Sequence, residues 1–412
     1  MQRWLKMIYI IRNVRGVNME NYAVKEKGIT IEDLLAGAEQ VGKLAEQEAA
    51  EAEKNATISQ NVVDLMKETQ IARMMLPKKY GGPQADLKTL AKVVRKVANY
   101  NISAAWLAYL YPLHNMLPAF LPEKGADEVI NQGGLICDIF AALGKAEQDG
   151  DGFRISGKWS FVSGVNYSDW VGVGVMIQFP ETEKPVYCLP MLKVSEVEVI
   201  HNWDTFGLRG SGSNQIIADD VYVPMERILR LDQAELTRRP PLEEYDTDYP
   251  FYHVPFFPSF YLGFGYMALG GAERILQEFK VLTEKRVRLM DGVRESESPR
   301  SQRVLAEMTT DFHIAEGLLD KYVDLLENFE KDGCKTLPSE FFAIRTKAIK
   351  ICVDIAVRAL LTLGGGALYK GGPMELFLRD IMAVATHKTS LYEDAVAAYG
   401  KDLFGFESGV RG

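Results

Sequence analysis

Five short stretches of this chain hold the residue types that do chemistry. His387 follows Arg379-Asp380 in the run Ala385-Thr386-His387-Lys388, and His114 lies in Tyr111-Pro112-Leu113-His114-Asn115. An imidazole with an unperturbed pKa of ~6.5 can take a proton or donate a hydrogen bond at neutral pH. Ser163 ends the segment Gly157-Lys158-Trp159-Ser160-Phe161-Val162-Ser163-Gly164, where a hydroxyl can hold a proton or make a turn after a strand. Arg209-Gly210-Ser211-Gly212-Ser213 unites a guanidinium, hydroxyls and open backbone amides, a set suited to an anion. Gly364-Gly365-Gly366 permits close backbone approach, or caps a helix ending near Leu363.

These residues need a scaffold, and the pattern along the chain is helical, then β, then helical. Leu34, Leu35, Ala38, Val41 and Leu44 recur at helical spacing and Val62, Val63, Leu65 and Met66 continue the set. Helical spacing resumes over Leu87–Val97 and Ala104–Leu121 after the break at Leu76-Pro77-Lys78-Lys79-Tyr80-Gly81-Gly82-Pro83. Between Leu135 and Arg227 period two replaces period 3.6, and Asp149-Gly150-Asp151-Gly152 is a hairpin signal, which predicts an antiparallel barrel or sandwich. Trp159 and Phe161 alternate with Ser160 there, so they are expected on one face of a strand. Helices are expected over Ser259–Val293, Ser301–Lys331, Pro338–Thr362 and Pro373–Tyr399, lengths suited to a four-helix bundle. The division expected is an arm at 1–25, helices at 26–132, a β-barrel at 133–235, a lid-like loop at 236–258 and the bundle at 259–412.

Composition bounds the function. A formal charge of −9 argues against a general nucleic-acid binder, which needs clustered Lys and Arg. Cys137, Cys188, Cys334 and Cys352 are scattered, with no CxxC spacing, so they read as packing residues of a protein in a reducing cytoplasm, with neither a disulfide framework nor a metal site. No uninterrupted apolar run reaches the ~18 residues of a membrane span. Met1–Val17 is basic with a short apolar core but no cleavage site follows, and Met19 is an alternative start.

The order of segments and four motifs resemble the acyl-CoA dehydrogenase superfamily from about residue 30 onward: Leu76-Pro77-Lys78-Lys79-Tyr80-Gly81-Gly82, the Gly157–Gly164 run closing on Trp170, Trp203–Ser213 leading to Asp220-Val221-Tyr222-Val223-Pro224, and Gly364–Gly366 with Arg379-Asp380. The resemblance implies an α+β fold: an N-terminal all-α domain, a middle antiparallel β-barrel and a C-terminal four-helix bundle. In the dehydrogenase branch a glutamate removes the α-proton of an acyl thioester. Neither of its two usual places carries a carboxylate here, which leaves Glu393, Asp394 or Asp246 as atypical bases.

The other branch comprises oxygenase components of two-component flavin monooxygenases. It implies that reduced FMN or FAD, supplied by a separate flavin reductase, reacts with O2 to give a C4a-hydroperoxide that oxidises a small aromatic substrate. No Gly-x-Gly-x-x-Gly nucleotide motif for internal flavin reduction is present in the sequence. By this resemblance Ser163 lies near flavin N5, His387 is the base or the hydrogen-bond donor to the substrate oxygen, and His114 is a second substrate-side histidine. Phe161, Arg209, Ser211 and Ser213 are expected at the cofactor, as are Gly364, Gly365 and Gly366, while Arg286 and Gln302 would reach a neighbouring subunit's flavin in a tetramer. Tyr111, Phe140 and Tyr252 are expected at the substrate, with Tyr245, Tyr249 and His253 further contacts from the lid-like loop. Where related oxygenases carry Ser and Pro, Ile139–Gly144 is apolar, leaving Asp138 as the nearest polar group and a turn or barrel residue by type. A non-catalytic scaffold keeping the fold is the reading from another class.

Overall fold

Five N-terminal helices form where spaced apolar residues predict them, α1 (Ile31–Gln47), α2 (Ala49–Asn55), α3 (Gln60–Glu68), α4 (Leu87–Ala98) and α5 (Ile102–Met116), and α6 (Glu123–Asn131) follows beyond the predicted stretch. The computed structural model describes residues 28–241, 245–288 and 292–411, and the arm at 1–25 lies outside them. Ser59 starts α3 by accepting the Val62 N–H, and Asp86 and Asn101 do the same for α4 and α5 at 2.7 and 2.9 Å. Unlike α4, with one strongly apolar face, α5 is apolar all round and almost wholly buried, the signature of a central helix. Trp106, Tyr109, Tyr111 and His114 all project from it.

The middle segment is a seven-stranded sheet of β1 (Ile136–Asp149), β2 (Gly152–Val162), β3 (Trp170–Ile177), β4 (Val186–Lys193), β5 (Glu198–Ile200), β6 (Asn214–Pro224) and β7 (Ile228–Arg230). Their order is β5-β6-β2-β1-β3-β4-β7, with β5 and β7 as unpaired edges. This corrects the expected closed, wholly antiparallel barrel: the sheet is open, and β1 runs parallel to β3. The cause lies in β1, whose first half, Ile136–Gly144, pairs with β3 while Lys145–Asp149 pairs with β2. A strand that changes partner midway, with a register irregularity between Ile139 and Gly144, splays the sheet. The predicted hairpin is present, Asp149 pairing with Gly152 across Gly150 at φ +59°.

Trp159 sits at the centre of the sheet's core with no exposed surface, its indole N–H shared between the carbonyls of Ala141 (3.1 Å) and Gly174 (3.2 Å). Phe161 does not follow it inward. Its φ is +69°, the β2–β6 register shifts between Trp159 and Val162, and the ring turns out to 67% exposure. Strict alternation fails at Phe161 because the bulge adds a residue to the strand.

Beyond β7, α7 (Leu231–Thr237) leads into a stretch whose second half is anchored inside the protein. Tyr249, Phe251 and Tyr252 are buried, and the Tyr249 hydroxyl donates to the Ala85 carbonyl at 2.9 Å. After α8 (Phe256–Ser259), the helices α9 (Leu262–Lys285), α10 (Pro299–Glu327), α11 (Pro338–Leu363) and α12 (Pro373–Thr386) pack together as a four-helix bundle, followed by α13 (Tyr392–Leu403). Helix α9 also packs on α4 and α5, which joins the bundle to the N-terminal helices.

Three expectations change in this region. The predicted helix Pro373–Tyr399 breaks at His387, whose ψ of 139° is non-helical and whose ring accepts the Thr389 N–H. The stretch Pro338–Leu368 is, by length and composition, apolar enough to cross a membrane, because only charged Asp354 and Arg358 interrupt Ile351–Leu368; it packs here as a bundle helix with its most apolar window one-third buried. Cys137, Cys188 and Cys352 are buried packing residues, whereas Cys334 is exposed.

Candidate active site

Ser163 sits at the end of β2 in a buried chain of hydrogen bonds. The Trp106 indole N–H donates to Ser163 Oγ at 2.9 Å, Ser163 and Ser213 hydroxyls are 2.7 Å apart, and so are those of Ser213 and Ser211. The Ser211 hydroxyl donates to the Leu208 carbonyl at 2.7 Å, which sets the direction of the rest. Ser211 has one proton and has spent it, so Ser213 donates to Ser211 and Ser163 donates to Ser213. Two serines of the anion-suited run thus serve as the wall of Ser163. Tyr111 fixes the same corner by donating to the Gly164 carbonyl at 2.9 Å. Gly164 is obligatory there: its φ is +78°, and a Cβ would fall 2.7 Å from the Tyr111 hydroxyl.

Phe161 stands outside this network, edge-on to Trp203 at 6.0 Å between centroids. An aromatic residue held in the left-handed region and turned to solvent is strained, and such strain persists only where the surroundings over-determine it. Trp203 is half-buried, and with Asn166, His201 and Arg209 it lines a cleft. Arg209 is committed to protein groups, donating to the Glu53 carbonyl (2.9 Å), the Thr205 carbonyl (3.0 Å) and the Asp204 carboxylate (2.5 Å).

The Arg379-Asp380 pair braces this loop from the bundle. Asp380 accepts the Leu208 N–H at 2.7 Å and the Ser103 hydroxyl at 3.3 Å, and burial raises its pKa to about 7. Arg379 donates to the Phe206 carbonyl at 2.6 Å and pairs with Glu53 and Glu375.

His387 caps the turn after α12. Its Nδ1 accepts the Thr389 N–H at 3.3 Å, with the Thr389 hydroxyl at 2.9 Å, so the neutral ring carries its proton on Nε2. The ring lies 4.5 Å from Phe264 and 5.7 Å from Trp106, between centroids. Trp106 therefore touches both Ser163 and His387 and brings two of the predicted residues to one place. Burial, and after it the Arg345 guanidinium, lower the His387 pKa to about 4. A neutral ring with Nε2–H is a hydrogen-bond donor at that nitrogen.

His114 is buried on α5 with Nε2 at 3.1 Å from Asp138 Oδ2, close but not aligned as a hydrogen bond. Burial lowers the histidine to about 3 and raises the carboxyl well above its usual range, so both are neutral. Asp138 is thus partner to a histidine rather than a turn residue. Phe140, two residues on, packs against Phe257 and Phe260, each 6.0 Å away between centroids. Tyr252 is buried among Phe120, Tyr245 and Tyr249, and His253 pairs with Glu330.

The remaining residues expected at the cofactor cluster at a different end of the bundle. Arg286 donates to the Leu363 carbonyl at 2.5 Å, beside Gly364–Gly366, where an added Cβ on any of the three would meet open space. Gln302 donates to the Ser296 carbonyl at 3.2 Å. Among the described residues no hydrogen bond or ring contact joins this group to Ser163 within one chain. The carboxylates considered as atypical bases lie outside the site: Asp394 pairs with Lys388, Asp246 with Lys78, and Glu393 is exposed.

Sequence reasoning missed Trp106 and Arg345. Arg345 falls on the buried stripe of α11, between Phe341 and Ala348, and a cation at an apolar position was the available signal.

The segment order and site place the chain in the acyl-CoA dehydrogenase-like fold. Residues 262–390 match the family described as acyl-CoA dehydrogenase, C-terminal domain. The chain is 24% identical to the indole-3-acetate monooxygenase of Acinetobacter baumannii, over 82% of this chain and 86% of that one. It is 23% identical to the oxygenase component of the p-hydroxyphenylacetate 3-hydroxylase of Acinetobacter baumannii, over 91% and 89%. Among solved structures, XiaF from Streptomyces sp. in complex with FADH2 and glycerol superposes with a TM-score of 0.83 at 20% identity, covering 92% of this chain and 97% of that one.

Proposed function

We propose that this protein is the oxygenase component of a two-component flavin-dependent monooxygenase, receiving reduced FMN or FAD from a separate reductase and oxidising a small aromatic substrate. One observation carries the reading: Trp106 links Ser163 and His387, joining a buried hydroxyl and a neutral imidazole in one apolar site. The residues present fit a flavin. Phe161 offers an exposed, conformationally held ring, and Gly364–Gly366 leave an open cradle beside Arg286.

When bound, reduced flavin supplies the electrons and activates the O2. The chain's own contribution is placement. Trp106 and Ser213 hold the Ser163 hydroxyl so that its lone pairs and proton stay at one position, sealed from water by α5. His387 donates from Nε2 to an oxygen of the substrate, and the neutral His114–Asp138 pair presents a second polar contact in an otherwise apolar wall.

Arg286, Gln302 and the Gly364 turn lie apart from Ser163 in one chain, and exposed Leu361, Leu368 and Tyr369 flank that turn. This supports a tetramer in which one subunit's turn completes another's cofactor site. The test is rapid mixing of the enzyme and reduced flavin with labelled O2 and a panel of phenols and indoles. Incorporation of one labelled atom into product is expected. Quantitative release of peroxide with every aromatic, at a rate equal to that of free flavin, would sink the reading.

A further inference from the structure

Arg345 is fully buried in α11 and carries a charge that no carboxylate among the described residues neutralises. One arm is used: Nη2 donates to the Thr389 carbonyl, holding the turn that presents His387. Its Nε and Nη1 have no partner. Around them stand the rings of Tyr261 (5.3 Å from the guanidinium carbon), Phe342 (5.6 Å) and Phe264 (5.7 Å). The Tyr109 hydroxyl, buried and within electrostatic reach of Arg345, faces the Gly263 backbone but has no acceptor for its own proton. Ring faces stabilise a cation, but they accept no hydrogen bond of normal strength, and arginine does not shed its proton to escape burial.

Unspent donors on a buried guanidinium, and a hydroxyl proton in the same buried region, therefore stand without an acceptor, next to the Phe264 ring that packs on His387. Resting on the proposed monooxygenase function, we infer that Arg345 and Tyr109 form a subsite for an anionic oxygen group, so that the substrate is an aromatic acid whose carboxylate lies at Arg345 while its ring lies by Phe264 and His387. Nε–H and Nη1 face different edges of the guanidinium, so a carboxylate would accept from one of these edges and from the tyrosine hydroxyl, satisfying a donor that has no partner within the chain.

The test uses the whole enzyme with two probes that share a ring, 4-hydroxyphenylacetate and 4-ethylphenol, measured by calorimetric binding in the absence of flavin and by product formation with reduced flavin. Wild type should bind the acid at least about tenfold tighter than the neutral phenol, the effect of one well-placed charge contact. Arg345→Lys should keep part of that preference and Arg345→Met should lose it, with circular dichroism reporting the fold. Equal binding of the two probes by wild type overturns the inference whether or not the variants fold, as does a folded Arg345→Met that retains the preference. The two failures are distinct: oxygenation of 4-ethylphenol without any preference for the acid leaves the monooxygenase function standing, whereas peroxide release alone with both probes removes that function first.

Discussion

The indole N–H of Trp106 lies 2.9 Å from Ser163 Oγ, while the same ring meets His387 edge-on at 5.7 Å between centroids. Removing the donor while keeping the ring isolates its role. Trp106→Phe should bind substrate with an unchanged KM yet release a larger fraction of oxygen as peroxide. The loss of one buried hydrogen bond should lower stability by about 1 kcal/mol. The peroxide-to-product ratio is the measurement, and an unchanged ratio would show that Ser163 does not depend on Trp106.

His387, with its pKa near 4, stays neutral across the physiological range. Activity should show no limb attributable to this residue between about pH 5 and 8, and His387→Asn should lower kcat by roughly 10²-fold while leaving flavin binding intact. A profile with a limb near pH 6.5 that vanishes in the variant would contradict the Nε2–H donor role.

Stability should respond to pH through opposing groups. Asp380 is raised to about 7, so its contribution is present below its unfolded pKa of ~3.9 and is lost as pH rises toward 7. His387 and His114 are lowered to about 4 and about 3, so theirs is present above ~6.5 and is lost as pH falls through those values. Asp380→Asn should therefore raise Tm relative to wild type by of order 2 °C or more at about pH 8 and by less at about pH 5. Parallel curves would refute the assignment.

Phe161, at φ +69°, stores strain that glycine would not. Phe161→Gly should raise stability by about 1 kcal/mol and weaken retention of reduced flavin. A variant that is no more stable would show that the ring's contact with Trp203 outweighs the backbone cost.

Much of this site was legible from residue type and order. Ser163 and His387 fall within local motifs, and their placement follows from one strand end and one helix end. The break at His387 was not legible, because Met374, Phe377, Leu378, Ile381 and Val384 continue an apolar helical stripe up to it, and only the ring's capping of Thr389 ends the helix. Phe161 misled for a related reason: alternation assumes an unbulged strand. Trp106 was hidden inside an all-apolar helix where every position looks like core. The open sheet escaped because period two reports pleating and says nothing about whether β5 and β7 meet.

The change of partner within β1 has an evolutionary consequence. Asp138 is matched to Gly172 on one side of the irregularity, and Asp149 to Gly152 on the other. Insertions or deletions in the Gly150–Asp151 hairpin can accumulate there and be absorbed before they reach the half that faces His114. A change of length in the hairpin would leave the Asp138–Gly172 register, and with it the His114–Asp138 pair, in place.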